Sequence, residues 1–109
     1  GCGSGVLSFI IAKHYKSAKV CAVDNNKYAV ETCQVNAATF NLKNIEAFQH
    51  DITKIDDLEH NFRSHKCPLS YELIITNPPW LIGKRGQIKV RYWMEYMITK
   101  VNSYNQLLK

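Results

Sequence analysis

Three short apolar runs, each ending on a polar side chain, constrain this 109-residue chain more than any other feature. Residues 19–23 end at Asp24, residues 45–50 at Asp51, and residues 71–76 at Asn77. Runs of this length, rich in Val, Ile and aromatics, read as buried strands. Between them lie segments of helical period. Residues 6–15 predict a largely buried helix. Residues 27–40 predict a second, with Ala29, Val30, Cys33, Ala37 and Phe40 on one face, Asn25-Asn26 as its cap and Asn41 as its stop. A short polar helix is expected at 54–62, a breaker at Cys67-Pro68, a glycine-containing basic loop at 81–89 and a last helix at 92–108. Strands alternating with helices imply a parallel sheet covered on its faces. Ligands of such sheets sit beyond the carboxyl ends of the strands. Asp24, Asp51, Asn77 and the opening Gly1-Cys2-Gly3-Ser4-Gly5 all fall at such ends, so one architecture gathers them on a single edge.

Size and charge narrow the classes. Hydrophobic residues make up 46% of the chain, which favours a globular domain over disorder. No apolar run approaches the ~20 residues that span a bilayer. The first residue is a loop-type Gly, which predicts a chain beginning inside a larger domain. Residues 84–109 carry six Lys/Arg against one Glu and hold the whole formal charge of +5. That tail reads either as a solvated helix and loop or as a phosphate-facing lip. Cys2, Cys21, Cys33 and Cys67 form no C-x-x-C pair. They read as free thiols of a reducing, intracellular compartment, without a disulfide framework. His60, His65 and Cys67 lack a fourth ligand, so no metal site is expected.

The glycine loop offers close backbone approach and a helix N-terminus to an anionic group, or is merely a tight strand-to-helix turn. Its G-x-G-x-G spacing, with Val6 where a dinucleotide fingerprint places Gly, argues against a pyrophosphate. Asp24, 23 residues after Gly1, suits two ribose hydroxyls or the cap of the next helix. Asp51 suits an adenine amino group or a turn cap.

Asn77-Pro78-Pro79-Trp80 carries the sharpest chemistry. Two prolines fix φ and remove two N–H donors, leaving an acceptor-rich corner. A conjugated amine is a poor nucleophile because its lone pair is delocalised. The Asn77 side-chain oxygen and the Pro78 carbonyl, accepting from that amine, would draw the nitrogen toward tetrahedral geometry. Trp80 would stack on a planar base or amide. The bland alternative is a rigid turn with a packed indole.

These residues resemble the class I S-adenosylmethionine-dependent methyltransferases, in their amino-methylating branch, along the whole chain. The resemblance implies an α/β, Rossmann-like, doubly wound, mostly parallel sheet, here incomplete, without its first and its C-terminal strands. It implies that S-adenosyl-L-methionine lies on Gly1, Gly3 and Gly5, with its ribose at Asp24-Asn25, its adenine at Asp51-Ile52 and its reactive end near Asn77. Asn77 and Pro78 would grip the target nitrogen, Pro79 would stiffen the corner and Trp80 would pack on the substrate. The branch includes N6-adenine, guanine-N2 and release-factor glutamine enzymes. The basic residues 84–91 lean toward a nucleic-acid base, RNA ahead of DNA, with a protein glutamine as the alternative. In that fold the missing first strand sits centrally, between the strand ending at Asp24 and the one ending at Thr76, so the isolated sheet is expected to have unpaired edges and to be poorly stable and inactive. A non-catalytic binding module is the competing reading. A nicotinamide-dependent reductase is disfavoured by Val6.

Overall fold

The computed structural model describes residues 1–77. The expected strand-and-helix alternation is present: α1 (Val6–His14), β1 (Val20–Asp24), α2 (Lys27–Thr39), β2 (Ile45–Gln49) and α3 (Leu58–Ser64). The two strands are parallel, in register from Val20 opposite Ile45 to Asp24 opposite Gln49. Each element has a local cause. The Asn26 side chain accepts from the Tyr28 N–H and caps α2. Asn41, at φ 53, turns the chain out of that helix. Leu58 and Phe62, one turn apart, are the buried face of α3.

Strand alternation builds two cores. Ala22 and Ala47 face Val30 and Cys33 of α2, with Phe9 of α1 packed alongside. On the opposite sheet face Phe48 meets Leu58, Phe62 and Cys67, with Cys21 and Val23 against them. Helices thus cover both faces, as the doubly wound arrangement implied by the resemblance requires. Phe48 is the keystone of the second core. Its ring meets Phe62 edge-on at 5.1 Å and stacks on His65 at 4.3 Å. His65 Nδ1 in turn lies 3.2 Å from Glu46 Oε1.

Five expectations need correction. Helix α1 is not largely buried. Only Ala12 is, and Val6, Leu7 and Ile10 are about half exposed or more, because one face alone meets the sheet. Phe40 is exposed as well, since α2 ends at Thr39 and the chain turns there. Helix α3 begins at Leu58 rather than residue 54, because turns anchored on Asp51 occupy the intervening residues. Residues 71–76 join no ladder among the described residues. Tyr71 and Ile74 pack against the Phe48 core, while a cleft separates the segment from β1. Finally, Cys21 and Cys67 form a disulfide, their Cα atoms 6.4 Å apart. β1 points Cys21 to the α3 face, and the turn after α3 returns Cys67 to it. Cys2 and Cys33 are free. The expectation of four free thiols, and the reducing compartment read from it, therefore lose their footing. The expected loop at 81–89 and helix at 92–108 lie outside the described residues.

The two sheet edges differ. Register leaves the carbonyls of Ala47 and Gln49 on the outer edge of β2. Both are covered: the Gln34 amide donates to Ala47 at 2.9 Å and the Asn61 amide to Gln49 at 3.1 Å. On the outer edge of β1, Val23 O accepts from the Cys2 N–H at 2.9 Å, and the rest of that edge borders the cleft.

Candidate functional site

The glycine loop folds back on the end of β1. Gly3 and Gly5 both take positive φ, 54° and 98°, which glycine adopts without strain. Gly5 is also sterically committed: a Cβ there would fall 2.6 Å from Phe9 Cζ and 2.7 Å from Cys33 Sγ. Around Gly1 and Gly3 the space is open. The Cys2 thiol is pushed up to about 12, by burial first and then by the neighbouring Cys33 thiol and Asp24 charge. It is therefore a protonated packing group at neutral pH rather than a nucleophile.

Asp24 joins loop to strand. Its Oδ2 accepts from the Gly3 N–H and its Oδ1 from the Asn26 N–H, both at 2.9 Å. Each carboxylate oxygen keeps a free lone pair, so two further donors can be accommodated. The local part of its expected role is thus present, in holding the turn into α2, and capacity for a diol remains. Asn25 is exposed between them, and its carbonyl accepts from the Gln49 amide at 2.8 Å.

Asp51 shows the turn-capping use. Its Oδ1 accepts from the Thr53 N–H at 2.9 Å and the Thr53 hydroxyl at 2.7 Å. These bonds, the hydroxyl first, hold its carboxyl below the usual range. Ile52 lies on the wall of the cleft.

The cleft has a volume of about 770 Å³ and runs between the outer edge of β1 and residues 70–76. Gly1, Cys2, Val23, Ile52, Tyr71 and Thr76 line it. The glycine loop and the residue preceding Asn77 therefore border one space. Asn77 is exposed and follows directly. Tyr71 brings a buried hydroxyl that has no hydrogen-bond partner among the described residues, and burial pushes its phenol up to about 12. Pro78, Pro79, Trp80 and the basic residues 84–91 lie outside the described residues. No described group of three or more His, Cys, Asp or Glu is gathered as a metal would require. Of the three metal-ligand candidates weighed in the sequence, Cys67 is in the disulfide and His65 is on Glu46. No described helix is long and apolar enough to cross a membrane.

Sequence reasoning missed Gln49, His50 and Asn61, because their roles depend on contacts between elements. His50 is buried at 5% exposure and its Nδ1 lies 2.9 Å from the Asn61 amide. That amide can only donate, so Nδ1 accepts and the ring proton sits on Nε2. Burial holds the imidazole below its ordinary 6.5, against the Lys54 backbone and the Asp51 and Asp57 carboxylates, which pull it upward. A histidine kept neutral in the fold stabilises it fully above the unfolded value. That contribution is lost as pH falls below about 6.5, where the unfolded chain takes the proton first. Denaturant unfolding at pH 7.5, 6.5 and 5.5 should show falling stability, by at most about 1.4 kcal/mol per pH unit for this proton. His50→Gln should flatten the slope. An unchanged slope would place the titration elsewhere.

Comparison with known proteins agrees with this geometry. The family model described as the methyltransferase small domain matches residues 1–104. An (S)-coclaurine N-methyltransferase of Thalictrum flavum is 30% identical over 89% of this chain and 24% of its own length. A release factor glutamine methyltransferase of Fusobacterium nucleatum is 27% identical over 74% of the chain and 20% of its own length. A probable cobalt-precorrin-6B C(15)-methyltransferase of Methanococcus vannielii is 41% identical over 62% of the chain and 34% of its own length. The chain thus spans about a fifth to a third of the length of these relatives. No solved structure matches. With the parallel β1–α2–β2 unit, the helices on both sheet faces and the glycine loop docked on Asp24, the match over nearly every residue settles the family: the chain belongs to the methyltransferase small-domain family.

Proposed function

We propose that the protein of which this chain is a part transfers the methyl group of S-adenosylmethionine to an amino or amide nitrogen. The observation that carries this reading is the shared cleft. Gly1 and Cys2 of the glycine loop and Thr76, the residue before Asn77, line one cleft along the outer edge of β1, and Asp24 holds the same loop through the Gly3 N–H. Cofactor and acceptor nitrogen can then meet there.

The residues fit the cofactor. Gly1 and Gly3 leave open space for close approach, and Asp24 keeps lone pairs for two ribose hydroxyls. Asn25 flanks the ribose. Ile52 offers an apolar wall to the adenine, and Asp51 a carboxylate to its amino group. The bound cofactor supplies an electrophilic methyl on a sulfonium. The remaining chemistry is positioning. Asn77 and the Pro78 carbonyl accept from the target N–H groups, Pro79 keeps the corner stiff, and Trp80 covers the flat face of the acceptor. The nitrogen's proton becomes acidic only as the new bond forms, so no strong base is required.

The acceptor we favour is a nucleic-acid base, RNA ahead of DNA, on the strength of the basic residues 84–91. A protein glutamine is the second reading, supported by the release factor glutamine methyltransferases among the relatives. Salt separates the two: affinity for an RNA acceptor should fall steeply between 50 and 200 mM salt. A salt-insensitive complex would point to the protein acceptor.

Calorimetry on the full-length protein tests the cofactor site. Asp24→Ala should weaken S-adenosylmethionine by about tenfold to a hundredfold, as loss of a charged hydrogen-bond acceptor implies. Equal affinity in wild type and variant would remove the ribose assignment.

A further inference from the structure

The Asp24 carboxylate is not held by its own strand alone. Its Oδ1 accepts from the Asn26 N–H. That N–H shares one planar peptide unit with the Asn25 carbonyl, and the Asn25 carbonyl accepts from Gln49 Nε2 at 2.8 Å. The peptide is thus gripped at both ends: its oxygen by a side chain from the end of β2, its N–H by the carboxylate it orients. Rotation of this unit, otherwise free in an exposed turn, would break both bonds together. The two bonds also polarise one another through the amide.

Gln49 is itself held from behind. Its carbonyl accepts from Asn61 Nδ2 at 3.1 Å, and the same amide nitrogen reaches His50 Nδ1 at 2.9 Å. A continuous line of contacts therefore runs from α3, through the end of β2, across to the turn after β1 and on to the Gly3 N–H. Gln49 is exposed and contributes nothing to either core, so packing does not explain its contact with Asn25.

We propose that Gln49 is a positioning residue for ligand binding at Asp24: its carboxamide locks the Asn25–Asn26 peptide, and through it the carboxylate, across the mouth of the site. This rests on the reading of Asp24 as the cofactor's ribose acceptor.

The test is a double-mutant cycle on the full-length protein, with calorimetric titration of S-adenosylmethionine. Gln49→Met keeps length and removes the donor. It should raise Kd about threefold to tenfold, the range of one neutral hydrogen bond, with little change in Tm. In an Asp24→Ala background the same change should do almost nothing, because there is no carboxylate left to orient. Gln49→Lys, whose ammonium can donate to the Asn25 carbonyl, should recover most of the affinity. Wild-type affinity in Gln49→Met, alongside a weakened Asp24→Ala, overturns this proposal and leaves the cofactor site standing. So does a Gln49→Met penalty of equal size in both backgrounds, which would mark a general structural effect. If Asp24→Ala itself binds like wild type, the ribose reading and this proposal fall together.

Discussion

Replacing Asn77 by Ala in the full-length protein should leave S-adenosylmethionine affinity within about twofold and lower turnover by about a hundredfold to a thousandfold, as loss of one preorganised polar contact at the reacting atom does. The physical reason lies in the acceptor. An exocyclic amine or a carboxamide nitrogen conjugates its lone pair away from an incoming methyl. Only a contact that improves as the nitrogen pyramidalises lowers the barrier, and a fixed oxygen accepting from its N–H is such a contact. In the proposed reaction Asn77 would supply that oxygen; it is exposed and follows Thr76, which lines the cleft. Asn77→Asp, which keeps an acceptor and loses the amide donors, should retain more turnover than Ala. Single-turnover kinetics with saturating cofactor separates the arms. Wild-type rates in Asn77→Ala would remove this residue from the chemistry, and a parallel collapse of cofactor binding would make it a binding residue instead.

Gly5→Ala should cost about 2–4 kcal/mol of stability, the combined scale of a left-handed alanine and an overpacked site. The added methyl has two objections to meet. At φ 98° the backbone disfavours any side chain, and the space is taken by Phe9 and Cys33, with Cys33 fully buried. Gly3→Ala is the control, with φ 54° and open surroundings, and should cost only about 1 kcal/mol. Urea unfolding of both variants in the full-length protein reads the difference. Equal costs would show that backbone conformation alone matters and that the Phe9–Cys33 contact yields. Because Gly5 also precedes α1 and anchors the loop, its replacement should displace the Gly3 N–H from Asp24 and weaken cofactor binding as well.

How far the sequence carries can be judged residue by residue. Helix α2 was legible throughout its length, since Val30, Cys33 and Ala37 recur at helical period and Asn26 and Asn41 bound it chemically. Strand β2 was legible too, though His50 follows the strand rather than closing it. Asp24 was found from its place at a strand end, and its turn-holding role was half of the expected pair. The Asp51 turn cap was likewise one of two readings left open. The apolar face of α1 misled, because hydrophobicity marks what can be buried and not whether a neighbour among the described residues covers it.

Local chemistry, written in order along the chain, decided where helices cap and stop, where glycine must sit, and which polar residues close each apolar run; capping, φ preference and side-chain period need only near neighbours. Tertiary structure alone decided that Cys21 meets Cys67 and that Gln49 reaches Asn25, whereas the gap between β1 and residues 71–76 follows from the central strand that the resemblance implies is missing. Pairing, bridging and crosslinking depend on distances between elements far apart in the chain, and those distances exist only once the sheet and its helices have packed.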